Sequence, residues 1–148
     1  MKIRKAIKKD LGRIAELFLE YDKYENNFDK DVELCSLNEV RKAEEEHINL
    51  GTKYLLAEED GKIVGALNFD IDKRGKEKIG VLHTLIITKE ARGKGFGSKL
   101  VNYALSHFKL NKCKRVKTFI HLKNKNAYEF WKKQGFKTEA GYSASRRL

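Results

Sequence analysis

Three glycines in alternate positions, Gly93, Gly95 and Gly97, follow an apolar run and precede a helical pattern. Glycine has no Cβ, so the backbone at these positions can come close to a ligand. The first turn of the following helix offers unpaired N–H groups and the positive end of the helix dipole. A glycine-rich turn that leads into a helix is typical of a phosphate site. Because Arg92 and Lys94 add positive charge, we expect this loop to bind an anion.

The spacing of these glycines excludes two common phosphate motifs. A P-loop requires Gly-Lys-Ser/Thr after the four residues that follow its first glycine, and no such sequence occurs here. A dinucleotide-binding fingerprint requires a third glycine, but Ser98 or Leu100 stands at that position. The glycines taken alone are also compatible with an ordinary strand–turn–helix in which they serve tight packing.

Two segments together resemble the GNAT superfamily of N-acetyltransferases. Residues 92–97 read Arg-x-x-Gly-x-Gly, which is similar to the loop that surrounds the cofactor pyrophosphate with main-chain amides in that family. Residues 124–136 match the family's Asn-x-x-Ala-x-x-Leu/Phe-Tyr-x-x-x-Gly-Phe segment, except that Trp131 replaces the tyrosine. Because both segments occur in the family's order, the sequence is identified as a member of this superfamily.

The resemblance implies acetyl-coenzyme A as the cofactor and acetyl transfer to a primary amine by direct attack in a ternary complex. The strand before the glycines would align the pantetheine arm and splay away from the strand that begins at Val116. A main-chain N–H of Leu85 or Ile86 would donate to the developing oxyanion. The cofactor-binding residues that the resemblance implies are Leu85, Ile86, Ile87, Arg92, Gly93, Lys94, Gly95, Phe96, Gly97, Ser98, Asn124 and Trp131.

Attack of an amine on a thioester also needs a route for the amine proton and help for the leaving thiolate. His83 stands on the central strand where several GNAT enzymes have a glutamate, and histidine titrates close to neutral pH. We expect it to accept the proton; the alternative is a core histidine satisfied by a neighbour, or a group that orients the substrate. An indole N–H cannot serve as an acid at neutral pH. Because Trp131 stands where the family has its tyrosine, Tyr128 or Tyr142 would protonate the thiolate instead, or the thiolate leaves unassisted.

The acceptor site is predicted within residues 19–50, where acids outnumber bases although the chain has a formal net charge of +11. In GNAT proteins the first two helices border the acceptor, and residues 22–25, Asp-Lys-Tyr-Glu, are similar to a segment of diamine acetyltransferases. Carboxylates and aromatic rings suit a cationic amine, such as a polyamine, an amino sugar, a lysine side chain or a protein N-terminus. The alternative is a solvated helix and loop. The expected substrate-binding residues are Tyr21, Tyr24, Glu25 and Phe28.

Hydrophobic periodicity predicts one α/β domain over residues 1–148, with the element order β-α-α-β-β-β-α-β-α-β-β. An antiparallel meander followed by a strand–helix–strand crossover predicts a mixed sheet with helices on both faces, as in the GNAT fold. Ser36 and Glu39 form a capping box at the second helix, and Asn124 caps the last helix. The other predicted bounds are a loop over 24–31, a helix from Gly97, and strands over 116–122, 136–138 and 142–146.

The composition argues against a membrane protein and against a metal site. No apolar run approaches the roughly 20 residues that cross a bilayer, and the N-terminus lacks the apolar core of a signal peptide. The cysteines and histidines have no metal-ligand spacing. We therefore expect a cytoplasmic protein whose partner is a small-molecule or peptide amine. The sequence leaves open whether the chain forms a homodimer.

Two other functions are compatible with the sequence. A basic nucleic-acid-binding module would use residues 109–117, but this tract lacks the interleaved aromatic residues that stack on bases. A non-catalytic acetyl-coenzyme A sensor would explain Trp131, which lacks the acidic hydroxyl of tyrosine. Nucleic acid is the less favoured partner, and acetyl transfer is the function that we expect.

Overall fold

The computed structural model describes residues 1–138 and 143–148. Within them the secondary structure follows the predicted order. The elements are β1 (Lys2–Lys5), α1 (Leu11–Asn26), α2 (Leu37–Asn49), β2 (Lys53–Glu59), β3 (Lys62–Arg74), β4 (Glu77–Ile87), α3 (Phe96–Leu110), β5 (Arg115–Phe119), α4 (Lys125–Lys133), β6 (Lys137–Thr138) and β7 (Ser143–Arg147). In these residues no helix is both long enough and apolar enough to span a bilayer.

The described strands form one mixed sheet in the order β1-β2-β3-β4-β5-β7-β6. Strands β2 to β4 are an antiparallel meander, as predicted, and β1 pairs antiparallel with β2 at the edge of the sheet. The pair β4–β5 is parallel, because the α3 crossover returns the chain to the end at which β4 began. Strand β7 then pairs antiparallel with both β5 and β6.

Helices cover both faces of the sheet, which confirms the predicted layers. On one face, Leu100 and Phe108 of α3 pack against Leu82 of β4. On the other face, Ile14 of α1 packs with Ile86 of β4. Near the end of β4, Leu85 and Ile87 pack against the first core, whereas Ile86 between them belongs to the second. Because side chains alternate along a strand, β4 contributes to both cores, and it is the central strand of the sheet.

Strands β4 and β5 separate before β4 ends. They pair over Ile79–Leu82 and Arg115–Thr118, whereas β4 continues to Ile87. The predicted strand over 116–122 is therefore too long, since the chain leaves the sheet after Phe119 to enter α4. The resulting gap corresponds to the predicted splay.

Local capping interactions set the other boundaries. Ser36 Oγ accepts from the N–H of Glu39, and Glu39 Oε2 accepts from the N–H of Ser36, as predicted. Asn124 Oδ1 accepts from the N–H of Ala127 at 3.0 Å at the start of α4. The predicted loop over 24–31 begins too early, because α1 continues to Asn26. Helix α3 begins at Phe96, one residue before the predicted Gly97.

Candidate active site

A β-bulge interrupts β4 at the centre of the sheet. The β3–β4 register shifts between Leu67 and Phe69, so His83 and Thr84 together lie opposite Asn68. Asn68 Oδ1 accepts a hydrogen bond from the N–H of Thr84 at 2.8 Å, which satisfies a main-chain group that the bulge removes from the ladder. A bulge bends its strand, so this one contributes to the separation of β4 from β5.

Beyond the bulge, the gap between β4 and β5 opens into a cleft of about 480 Å³. The exposed edge of β4 forms one wall, and α3 and α4 form the others. Lys94 does not line this cleft, because its Nζ pairs with Glu59 at 3.1 Å. The expected cofactor residues that do line it are Leu85, Ile86, Ile87, Arg92, Gly93, Gly95, Phe96, Gly97, Ser98, Asn124 and Trp131.

The three glycines of the loop have two different roles. Gly93 has φ 77° and Gly95 has φ 85°, in the left-handed region that favours glycine. A Cβ built at either position would meet nothing within 4 Å, so the main chain there is open to a ligand. At Gly97 a Cβ would lie 3.2 Å from the Phe130 ring. Gly97 therefore serves close packing between α3 and α4, which is the alternative that the sequence allowed.

Arg92 joins this loop to two other elements of the site. Its Nε donates to the carbonyl of Ile87 at 3.0 Å, and its guanidinium lies 5.8 Å from the ring centre of Tyr24 on α1. The N-terminus of α3 adds a positive dipole next to this charge. The loop thus combines unhindered main-chain groups with a cation, as an anion site requires.

Thr118 lines the cleft and belongs to the last residue pair before β4 and β5 part. Thr118 is 1% exposed, and its Oγ1 has no hydrogen-bond partner within residues 1–138 and 143–148. An unsatisfied buried hydroxyl costs roughly 1–3 kcal/mol. A polar ligand group between the strands would satisfy it. Sequence reasoning missed this residue, because no local pattern marks the point where two strands separate.

His83 also lines the cleft, and its side chain is 40% exposed. Its Nε2 lies 2.9 Å from Asp70 Oδ2 on β3, and the same oxygen accepts from Thr52 Oγ1 at 3.0 Å. His83 is therefore not a core histidine, and a carboxylate holds its ring at the bulge. Asp70 was missed by the sequence analysis, since it acquires this contact through strand pairing.

Among the residues that the structure describes, no tyrosine predicted to protonate the thiolate lines the cleft. Tyr128 lines a separate cavity of about 230 Å³ on the other side of Trp131. Tyr142 lies outside the described residues. Trp131 is buried, with its ring 5.1 Å from that of Phe130 and 5.0 Å from that of Phe136. These contacts identify a packing role for the indole.

Part of the predicted acceptor segment borders the cleft. Tyr21 and Tyr24 line it directly. Glu25 lies behind them and accepts from the Tyr21 hydroxyl at 2.6 Å. Phe28 packs edge-on against Tyr24, with ring centres 5.5 Å apart, and does not line the cleft. Glu25 and Phe28 thus hold the two lining tyrosines.

A contact between His121 and Asp29, which sequence reasoning missed, lies beside the cleft. His121, just after β5, has its Nε2 3.0 Å from Asp29 Oδ2, after the end of α1. The His121 ring also lies 4.9 Å from the Phe28 ring. Together these contacts tie the α1–α2 connection to the β5–α4 connection, across the opening where β4 and β5 part.

Carboxylates crowd the space between α1 and α2. Burial is the main cause that raises the pKa of Asp22 to about 6, and repulsion from Glu25 and Glu44 adds to it. Glu44 is itself buried and accepts a short hydrogen bond from the Tyr54 hydroxyl. Burial and the same carboxylate raise the pKa of Tyr54. Several carboxylates thus lie close together behind Tyr21, where a cation would lower their mutual repulsion.

Comparison with known proteins assigns the chain to one family. The family model described as "Acetyltransferase (GNAT) family" matches residues 13–136. The uncharacterised N-acetyltransferase YhfO of Bacillus subtilis is 27% identical over 146 residues, which cover 96% of this chain and 93% of YhfO. An uncharacterised N-acetyltransferase of Methanocaldococcus jannaschii is 30% identical over 86 residues, which cover 56% of this chain but 38% of that protein.

Solved structures show the same fold. The PaiA N-acetyltransferase of Thermoplasma acidophilum, solved in complex with coenzyme A, superposes with a TM-score of 0.82 at 21% identity, covering 99% of this chain and 98% of that one. A probable acetyltransferase superposes with a TM-score of 0.82 at 19% identity, covering 94% and 91%. This chain spans 41% of the length of another relative, the chloroplastic GCN5-related N-acetyltransferase 6 of Arabidopsis thaliana.

Proposed function

We propose that this chain, which belongs to the acetyltransferase (GNAT) family, transfers an acetyl group from acetyl-coenzyme A to a primary amine. The observation that carries the proposal is the cleft between β4 and β5, which leads from the bulge to the open glycine loop at the start of α3. Its shape suits a long, narrow cofactor with a diphosphate at one end and a thioester at the other.

The residues of the cleft fit that cofactor. The unhindered amides at Gly93 and Gly95, with Arg92 beside them, would bind the diphosphate. The free edge of β4 over residues 85–87 would bind the arm like an added strand, and the unpartnered hydroxyl of Thr118 would bond to it. When bound, the cofactor would supply an activated acetyl thioester.

In the proposed reaction, His83 accepts the proton that the amine loses, and Asp70 holds the imidazole in place. A main-chain N–H of Leu85 or Ile86, next to the bulge, donates to the developing oxyanion. Since Tyr128 lies outside the cleft, we propose that the thiolate leaves without a proton from α4. The role of Tyr142 stays a prediction.

We further propose that the acceptor is a cationic amine. Tyr21 and Tyr24 would contact it through their ring faces, and the carboxylates of Asp22 and Glu25 behind them would attract its charge. A polyamine, an amino sugar, a lysine side chain and a protein N-terminus all satisfy this chemistry.

The test combines cofactor binding with a panel of acceptors. Acetyl-coenzyme A should raise the unfolding temperature, and spermidine, glucosamine or a lysine peptide should release free coenzyme A thiol. Thiol release confined to neutral or acidic amines would contradict the cationic site. Binding without thiol release from any amine would favour the sensor function instead.

A pair of matched variants locates the acceptor. Tyr24→Leu should raise KM for the best cationic amine several-fold, because a cation–π contact contributes roughly 0.5–2 kcal/mol. Tyr103→Leu removes a tyrosine that is 43% exposed on α3, away from the cleft, and should leave KM unchanged. Equal effects of both variants would place the acceptor elsewhere.

A further inference from the structure

A second cavity, of about 510 Å³, lies on the other side of the molecule and shares no lining residue with the cleft. The segment after β1, the end of α2, the start of β2 and the outer face of α3 enclose it. Nothing in the proposed acetyl transfer uses it. Its apolar lining consists of Ala6, Ile7, Leu11, Ile48, Leu55, Phe69 and Tyr103.

One polar atom in this lining is buried without a partner. His107 Nε2 is shielded from solvent, and within the described part of the chain nothing forms a hydrogen bond with it. The His107 ring is held edge-on against Phe69, with ring centres 5.3 Å apart. Burial is the main cause that lowers the pKa of His107, and the positive charges of Lys53 and Lys5 lower it further. This shift favours the neutral imidazole, which carries one N–H donor, on Nε2 or on Nδ1 according to its tautomer.

Positive charge surrounds this imidazole. Lys5, Lys8 and Lys53 line the cavity against one acid, Glu45. Within residues 1–138 and 143–148, none of these three ammonium groups forms an ion pair. The arrangement therefore combines unneutralised cations, a neutral N–H and an apolar surface, which together match a molecule that is anionic at one end and apolar along its body.

We propose that this cavity binds an amphipathic monocarboxylate, with its carboxylate at His107, Lys5 and Lys53. Its apolar chain would lie along Ile7 and Ile48, which are 52% and 37% exposed. An inorganic anion would leave these side chains in water, and a purely apolar molecule would leave His107 Nε2 unsatisfied.

Decanoate is the probe, with decanol as its uncharged match, titrated calorimetrically into the full chain. Decanoate should bind at least about tenfold more tightly than decanol, because the carboxylate forms charge-assisted hydrogen bonds. Saturating coenzyme A should leave decanoate binding unchanged, because the two sites share no residue. Displacement by coenzyme A would place decanoate in the cleft and overturn the proposal.

Variants test the anion site directly. His107→Phe keeps a ring but removes its hydrogen-bonding nitrogens, and should weaken decanoate binding about tenfold and decanol binding less, because a hydrogen bond to a charged acceptor is the stronger one. Lys53→Met should weaken decanoate binding less, because that ammonium group is exposed. Lys109→Met, on the same helix but outside the cavity, should have no effect. A ¹⁵N shift of the His107 imidazole on addition of decanoate would report the contact independently of affinity.

Three results would refute this inference. The first is equal affinity for decanoate and decanol, and the second is no binding of decanoate at millimolar concentration. The third is a dimer in sedimentation experiments that Ile48→Glu weakens and that decanoate does not affect. A second copy of the chain would then cover this surface. Failure in any of these leaves the proposed acetyl transfer unaffected, because coenzyme A binding and thiol release are measured separately.

Discussion

Replacement of Thr118 by valine should have opposite effects on stability and on cofactor binding. The Thr118 hydroxyl is buried and unpartnered among the described residues. Valine keeps the β-branched shape that suits a strand and removes the desolvated oxygen, whose burial costs roughly 1–3 kcal/mol. Without cofactor, the variant should therefore be more stable than the parent chain.

The magnitude can be worked out from this cost. For a chain of about 150 residues, 1 kcal/mol shifts the unfolding temperature by about 2–4 °C, so Thr118→Val should raise it by at least that amount. If the cofactor arm bonds to Thr118, the variant loses a hydrogen bond worth about 0.5–1.5 kcal/mol. Its affinity for acetyl-coenzyme A should then fall about two- to twelvefold.

The assay is thermal unfolding with and without acetyl-coenzyme A, together with calorimetric titration of the cofactor. Thr52→Val is the control, because its hydroxyl has a partner, Asp70 Oδ2 at 3.0 Å. The Thr52→Val variant should be less stable than the parent chain and should bind acetyl-coenzyme A with unchanged affinity. If Thr118→Val destabilises the free protein, or binds acetyl-coenzyme A as tightly as the parent, the reasoning about an unsatisfied hydroxyl is refuted.

Three further predictions concern the loop, the base and the acidic cluster. Gly95→Ala places a Cβ at φ 85°, which costs about 1–2 kcal/mol, and should weaken acetyl-coenzyme A binding; Gly12→Ala, where a Cβ meets nothing within 4 Å, should not. His83→Ala should leave cofactor binding unchanged and reduce the rate of thiol release at least about hundredfold. Asp70→Asn should reduce that rate less and shift the pH profile of thiol release. Unchanged turnover in His83→Ala would exclude His83 as the base. Burial raises the pKa of Asp22 to about 6 in the folded state, so its charge opposes folding at neutral pH. Asp22→Asn should therefore stabilise the fold at pH 7 by roughly 1–2 kcal/mol, a gain that should disappear below about pH 4, where the aspartate is protonated in both states; urea unfolding at both pH values measures it.

Features that depend on neighbouring residues could be predicted from the sequence. The capping box of Ser36 and Glu39 and the cap at Asn124 involve residues three positions apart. The need for glycine at Gly93 and Gly95 is likewise a property of the local backbone. The order of the elements along the chain followed from hydrophobic periodicity.

Side-chain partners across the fold could not be predicted in this way. Asp70 meets His83 because the bulge adds one residue to β4, and a shift of one residue moves a side chain to the other face of a sheet. Lys94 was expected beside the anion site, but it pairs with Glu59 at the end of β2. No property of Lys94 or its neighbours in the sequence indicates that pair.

By itself, the sequence determined the family, the order of the elements and the loop that favours an anion, because these depend on residue type and on spacings of a few residues. Tertiary structure decided which side chains share the cleft: it placed Thr118 in the lining, joined His121 to Asp29, and left Tyr128 outside. These outcomes depend on where β4 and β5 separate and on how α1 and α4 pack beside the gap. Such distances are set by the whole core, and no short segment of the chain encodes them.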